Sequence, residues 1–292
     1  MLYCPLPYAD ELFPSILTRA ARHTGRSYSS VLKALSVEIG RQQTLDHSAA
    51  FLGLATRLGV PESQVLESHT FFPYTTAYLP ADHRERYACW VLNAHEDSAY
   101  TQLSHLAKFP PPPWNKRFCI QCVSNDRKDL GEAYWHRQHH LPGMTTCPIH
   151  RIPLSACARG KSASDAMSLP SDYAATKATA PEASDLATTL TRLSLDALSG
   201  TLVQLDYSSA LRDLGYTIPL SLAGSSAFTQ AVLDAAGTVM LEEMACTGSE
   251  RLSRLWPAHV AMGRPTSFPT QKHLVVHAYL KAVSSQLLTP NR

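Results

Sequence analysis

Two ligand pairs constrain this chain most: Cys119 and Cys122 in C-I-Q-C, then Cys147 and His150 in C-P-I-H. Each short loop presents two donors to one ion, and two such loops can close a tetrahedral zinc shell. A structural zinc supplies folding free energy directly, so the stretch between the pairs needs no core of its own. The expectation is one structural Zn2+ on Cys119, Cys122, Cys147 and His150; a disulfide or unrelated cysteines are the competing readings. Between the pairs lie 24 residues, Val123 to Thr146, longer than in a compact finger. They include G-E-A-Y-W-H-R from Gly131 and L-P-G from Leu141. That aromatic, basic run suits either packing over the metal or contact with a polyanion.

These blocks, together with R-F-C-I-Q-C from Arg117 and C-P-I-H-R-I-P-L from Cys147, resemble the TniQ/TnsD family. Its members are target-site selectors of a class of bacterial DNA transposons. The opening L-P-Y-A-D-E-L-F-P-S-I-L-T-R from Leu6 and H-T-F-F-P-Y from His69 extend the resemblance over roughly the first half. Further on, R-L-S-R-L-W-P-A-H from Arg251 and P-T-S-F-P-T-Q-K-H from Pro265 are similar to the DNA-reading half of TnsD-type members. The resemblance implies an adaptor, not an enzyme, that marks a double-stranded DNA attachment site and recruits the transposon's AAA+ ATPase. Within the opening motif it points to Tyr8, Asp10 and Glu11 for partner contact. Some members instead ride on an RNA-guided CRISPR effector complex, and these are usually described with a second zinc site. Only Cys157 follows His150 before the Ala/Ser/Thr-rich stretch, which favours direct DNA reading. The chain is short beside a full TnsD, as a shorter relative or a piece of a longer protein is.

Hydrophobic residues make up 45% of the 292 and charged ones 17%, so the chain should fold, with length for two domains. It lacks both a run of eighteen apolar residues and a basic start leading into an apolar segment. The expectation is therefore a cytoplasmic protein with no membrane partner, and the DNA role that the resemblance implies makes it nucleoid-associated. Cys4, Cys89, Cys157 and Cys246 show no pairing pattern, which fits a reducing interior.

A net charge of +2 selects no partner, but its distribution does more. From Arg251 onward Arg251, Arg254, Arg264, Lys272, Lys281 and Arg292 meet no acidic residue. That is the footprint of a phosphate-binding surface, in competition with a plain solvated helix face. Thr266 and Ser267 stand where a last helix begins; hydroxyls and free N–H groups there bind phosphate or act as N-caps. The expected DNA contacts are Arg251, Arg254, Arg264, Thr266, Ser267 and Lys272, joined by Lys116 and Arg117 beside the first ligand pair.

Periodicity predicts a mainly α chain: a helical domain over 1–108 with helix-turn-helix character, a zinc-finger module over 109–154, a linker over 155–185, and a second all-α, DNA-binding domain over 186–292. Leu12, Phe13, Ile16, Leu17 and Ala20 make a first stripe, with Asp10 as N-cap and Gly25 as stop. Val31, Leu35 and Ile39 make a second, ended by Gly40. A third through Phe51 to Leu58 and a fourth from Glu62 flank a short Gly-Val-Pro turn. This spacing fits a helix-turn-helix or an ordinary helical hairpin. The fourth helix carries no arginine able to reach a guanine edge, which favours a structural or protein-binding role. Phe109 to Trp114 read as a stiff polyproline joint. Later helices are expected over Leu186–Leu198, Leu202–Leu214, Phe228–Leu241, Arg251–His259 broken by Pro257, and Thr270–Leu287.

The competing class, a zinc-dependent nucleic-acid enzyme, finds no support in the residues. His136, His139 and His140 lack the adjacent Glu of a hydrolytic zinc motif. No deaminase signature, P-loop or nucleophile elbow appears, and no catalytic residue is assigned.

Overall fold

The computed structural model describes residues 3–38, 47–93, 116–157, 168–174, 184–244, 246, 255–263 and 268–288. Among them are twelve α-helices and two strands of two residues each, the mainly α architecture that the periodicity predicts.

Four helices form the first apolar cluster: α1 (Phe13–Thr24), α2 (Tyr28–Glu38), α3 (His47–Leu58) and α4 (Glu62–His69). Ile16, Leu17, Ala20, Val31, Leu35, Leu54 and Val65 fill it. Gly25 ends α1 with φ 63°, and its N–H bonds back to the carbonyls of Ala21 and Arg22. The start of α1 differs from expectation. Leu12 is the N-cap residue, and Asp10 lies outside the helix in a left-handed conformation, φ 57°. Its carboxylate is engaged elsewhere, as described below. Ile39, Gly40 and the Phe109–Trp114 joint lie outside the described residues.

The second cluster joins everything else. It takes in α5 (Phe72–Thr76) and the metal-ligand module, built of β1 (Arg117–Phe118), α7 (Ile120–Leu130) and β2 (Ser155–Ala156). α6 (Ala81–Asn93) packs on α3. The strands pair antiparallel, Arg117 opposite Ala156 and Phe118 opposite Ser155. Five later helices complete the cluster: α8 (Asp185–Ser199), α9 (Tyr207–Asp213), α10 (Leu222–Glu243), α11 (Trp256–Ala261) and α12 (Thr270–Leu288). Leu190, Leu193, Phe228, Val232, Leu274 and Leu280 thereby share one core with Phe71, Tyr74, Trp135 and Leu141. This second cluster crosses the boundaries drawn from the sequence, while the first lies within 1–108.

Three helix limits depart from the pattern, each for a local reason. α9 begins only at Tyr207, because the Asp206 carboxylate accepts the N–H groups of Ser208 and Ser209 as an N-cap. α10 begins six residues before Phe228, capped by Ser221, and kinks at Gly237 with φ 68° and ψ 160°. Pro257 opens α11 rather than breaking a helix; in the first turn its missing N–H costs nothing. Of the expected linker, the described parts are packed down. Leu169 is buried, Trp135 Nε1 donates to the Ser168 carbonyl at 2.8 Å, and Arg22 pairs with Asp172 at 2.7 Å.

α5 joins the two halves of the chain. Thr270 Oγ1 donates to the Thr75 carbonyl at 3.0 Å, and Gln204 Nε2 to the Ala77 carbonyl at 2.9 Å. Just after α5, Tyr78 shares a 2.7 Å hydrogen bond with His277 Nδ1 on α12. No helix of the described residues is long and apolar enough to cross a membrane.

Candidate metal centre

The two loops expected to hold a metal meet at one point. The ligand atoms of Cys119, Cys122, Cys147 and His150 all lie within 4.8 Å of one another, and the three cysteines are buried. His150 Nδ1 is 3.5 Å from Cys119 Sγ, 3.3 Å from Cys122 Sγ and 3.7 Å from Cys147 Sγ. Cys122 and Cys147 sulfurs are 3.8 Å apart. Zinc bonds of ordinary length in a tetrahedral shell separate two sulfurs by about 3.8 Å and a sulfur from a nitrogen by about 3.5 Å. The donor set and its spacing fit a metal ion.

Local structure explains why the donors converge. Cys119 is the N-cap residue of α7, so Cys122 lies in the first turn and the C-I-Q-C loop folds back on itself. The second loop is a tight knuckle: Arg151 N donates to the Cys147 carbonyl and Cys147 N to the Ile152 carbonyl, each at 2.8 Å. Arg151 takes φ 56° to close it, and His150 N–H points at Cys147 Sγ from 3.4 Å. Cys122 Sγ and Cys147 Sγ share a hydrogen bond, and this interaction lowers the Cys147 pKa and raises that of Cys122. His139 lowers Cys147 further.

Sequence reasoning weighed His136, His139 and His140 only as a hydrolytic zinc set, and did not single out Asn125 or Asp126. His139, almost fully buried, sets Nε2 3.5 Å from Cys147 Sγ and 3.8 Å from Cys122 Sγ. Burial lowers its pKa, against the opposing effect of its contact with Cys147. Asn125 Nδ2 sits 3.2 Å from His150 Nε2, and Asp126 pairs with His136 at 2.9 Å. Such partners orient metal ligands and set their tautomers. The H-R-Q-H-H run carried that signal, but only the fold shows which histidine turns inward.

The opening motif and the G-E-A-Y-W-H-R motif, more than a hundred residues apart, form one clasp beside this centre. Leu12 N donates to the Trp135 carbonyl at 2.9 Å and Arg137 N to the Asp10 carbonyl at 2.8 Å. Asp10 accepts from Arg137 Nε at 3.1 Å and from Gln138 N at 3.0 Å. Tyr134 OH donates to the Ala9 carbonyl at 3.0 Å, and Trp135 N to Ser15 Oγ at 3.1 Å. Arg137 Nη1 reaches the carbonyls of Glu67 and Thr70 at 2.5 and 2.7 Å, which ties in the end of α4. At the centre Arg19, 2% exposed, pairs with the fully buried Glu11 at 2.7 Å and with Glu132 at 2.8 Å. The Tyr8 ring lies under the Arg19 guanidinium at 3.7 Å.

These positions alter what the remaining predicted site residues can do. Glu11 is withdrawn from any partner surface, because its carboxylate serves Arg19 and the Tyr8 N–H inside the clasp. Tyr8 and Asp10 stay half-buried at its edge. Arg117 is committed to Glu243 and to the Met144 carbonyl, and Lys116 Nζ sits 5.2 Å over the Trp135 ring. Lys272 is buried, its ammonium 5.5 Å from the Trp256 and Phe268 rings. Arg251, Arg254, Arg264, Thr266 and Ser267 lie outside the described residues.

Comparison with known proteins agrees with this geometry. The TniQ family model matches residues 2–154, which include the clasp and all four donors. The transposon Tn7 transposition protein TnsD of Escherichia coli is 26% identical over 157 residues, 50% of this chain and 30% of that protein. The chain thus spans well under two thirds of that relative's length. With the family match covering more than half of its residues, and both interlocking motifs inside the match, the chain belongs to the TniQ family.

Proposed function

We propose that this chain selects a target site for DNA transposition. On this reading it binds duplex DNA at an attachment site, brings the transposon's AAA+ ATPase to it, and performs no bond-breaking chemistry itself. The observation that carries the reading is a four-donor, sulfur-rich group embedded in the family-matched half. A catalytic zinc keeps a coordination position open beside three protein ligands, whereas four donors close the shell. Thiolate and imidazole donors in a tetrahedral set favour Zn2+. The ion's role is to hold α7 and the second knuckle together.

Double-stranded DNA as the partner is supported by the acid-free segment from Arg251, with Arg251, Arg254, Arg264, Thr266 and Ser267 as the phosphate and base contacts. The buried ammonium of Lys272 points to a packing role for that residue. ATPase recruitment is assigned to the N-terminal half, near Tyr8 and Asp10. There Tyr3 and Leu6, 57% and 75% exposed, line an open groove of about 630 Å3 with Leu130. Among the described residues one metal-capable group occurs, which favours direct DNA reading over attachment to an RNA-guided CRISPR complex. A cytoplasmic, nucleoid-associated location follows from this role.

Two assays on the full chain test the proposal. Mobility shifts on duplex DNA at two salt concentrations should show salt-dependent binding that the loss of Arg251, Arg254 or Arg264 weakens. Immobilised protein should capture the ATPase, with Leu6→Asp reducing capture about tenfold at unchanged metal content. A protein that binds neither duplex nor ATPase is not a target selector.

A further inference from the structure

The family-matched module carries cations that the sequence did not single out, and they face solvent. Lys116 and Arg117, the expected basic contacts there, turn inward to Trp135 and Glu243. Arg127, Lys128 and Arg151 are exposed, and among the described residues their side chains make no ion pair or hydrogen bond. Two of the three lie on α7, and the third closes the knuckle holding its metal ligands.

The outer face of α7 has a composition of its own. Cys122 and Asp126 point inward, to the metal group and to His136. At 100° per residue, Ile120, Ser124, Lys128 and Gln121 then fall on one solvent-facing arc, flanked by Asn125 and Arg127. All six are exposed. Gln121 presents a donor and an acceptor, Lys128 donates to guanine, and Ser124 serves either sense, while Asn125 is engaged by His150 Nε2 and Gln121. Ile120, 52% exposed, and Ile149, 59% exposed in the second knuckle, offer apolar contacts to a thymine methyl. Gln121 Nε2 donates to Asn125 Oδ1 at 3.0 Å, so the two amides are held together as a unit. Asp129 is the one acid exposed on this helix, and its position along the helix places it beyond Asn125, off the arc.

We infer that α7, presented by the metal centre, is a DNA-contacting helix: its outer face enters the major groove while Arg127, Lys128 and Arg151 meet phosphates. The charge balance and the side-chain types select duplex DNA over a protein partner. Three cations, unpaired among the described residues, stand against one exposed acid on α7, and the polar groups match base edges. An eleven-residue helix is about 16 Å long, and the B-form major groove is about 12 Å wide, so a single helix fits. The inference rests on the DNA-binding reading above but places a contact surface in the half of the chain that the later basic segment does not include.

The test uses the full, metal-loaded chain and a pool of 30-base-pair duplexes, first unselected and then enriched on the wild type. Each of Arg127→Ala, Lys128→Ala and Arg151→Ala should lower the slope of log affinity against log salt by about 0.9. The triple variant should lose on the order of a hundredfold in affinity at low salt. Gln121→Ala should relax preference at one base pair of the enriched pool by about tenfold or more. Arg127 and Lys128 are exposed and touch none of the four donors, so metal content and Tm of those two variants should match the wild type; for the Arg151 and Gln121 variants, affinities are compared at equal metal content. If the wild type binds DNA and the triple variant binds with equal affinity and slope, α7 is not a contact and only this inference falls. If the wild type binds no duplex, the DNA-binding reading falls with it.

Discussion

Arg19 on α1 and Glu132, just past the end of α7, are joined at 2.8 Å across 113 positions of sequence. The same guanidinium holds Glu11, whose side chain has no solvent exposure. One arginine thus fastens the first helix to the metal module. Removing a single partner of a buried pair leaves an uncompensated charge, at about 3–5 kcal/mol. Arg19→Ala should therefore lower unfolding free energy by that order in a denaturant titration. Arg22→Ala, which breaks the half-exposed pair with Asp172, should cost less than about 1 kcal/mol. Equal effects from the two variants would show that the clasp does not depend on Arg19.

Metal content gives a second check. Elemental analysis should find one zinc per chain, and Cys122→Ser should lose it together with much of the stability. Cys157→Ser and Cys246→Ser should keep it, since both sulfurs lie outside the four-donor group. A folded, metal-free wild type would overturn the site.

Gly143 separates backbone strain from packing. Its φ is +74°, and a Cβ there would stand 2.5 Å from Met244 Sδ, where the L-P-G loop meets the end of α10. Gly131 also has positive φ, +84°, but open space around it. Gly131→Ala should cost about 1 kcal/mol for the left-handed backbone alone. Gly143→Ala should cost about 1–3 kcal/mol more. Thermal melts of both variants decide whether the loop is packed as tightly as described.

His277 makes stability depend on pH. Burial lowers its pKa to about 4, and Lys281 and Arg192 add to the effect. The folded value lies below the ordinary histidine value, so the unfolded chain binds the proton more readily over the interval between them. Stability is then full above about pH 6.5 and falls as pH drops toward 4. Between pH 7 and 5 the loss should be on the order of 1–2 kcal/mol. His277→Asn should flatten that interval relative to the wild type; identical pH profiles would exclude the histidine as its source.

The sequence by itself determined the donor set, the helical class and the family. Cys-x-x-Cys and Cys-x-x-His put two ligands on each of two short loops wherever the rest of the chain goes. Most helices announced themselves through apolar stripes of local period. Helix ends were less legible, because a capping side chain decides them: Asp206 shortens one helix and Ser221 lengthens another. Tertiary structure alone decided which polar residues face inward. Asp10 read as a helix cap and Glu11 as a partner contact, yet Asp10 is held by Arg137 from a distant segment and Glu11 is buried against Arg19 of the first helix. Lys116, Arg117 and Lys272 read as free cations, yet each is covered by a ring or a carboxylate. Charge patterns count residues along the chain. Burial depends on which surfaces meet, and the pair of Arg117 with Glu243 spans more than a hundred positions.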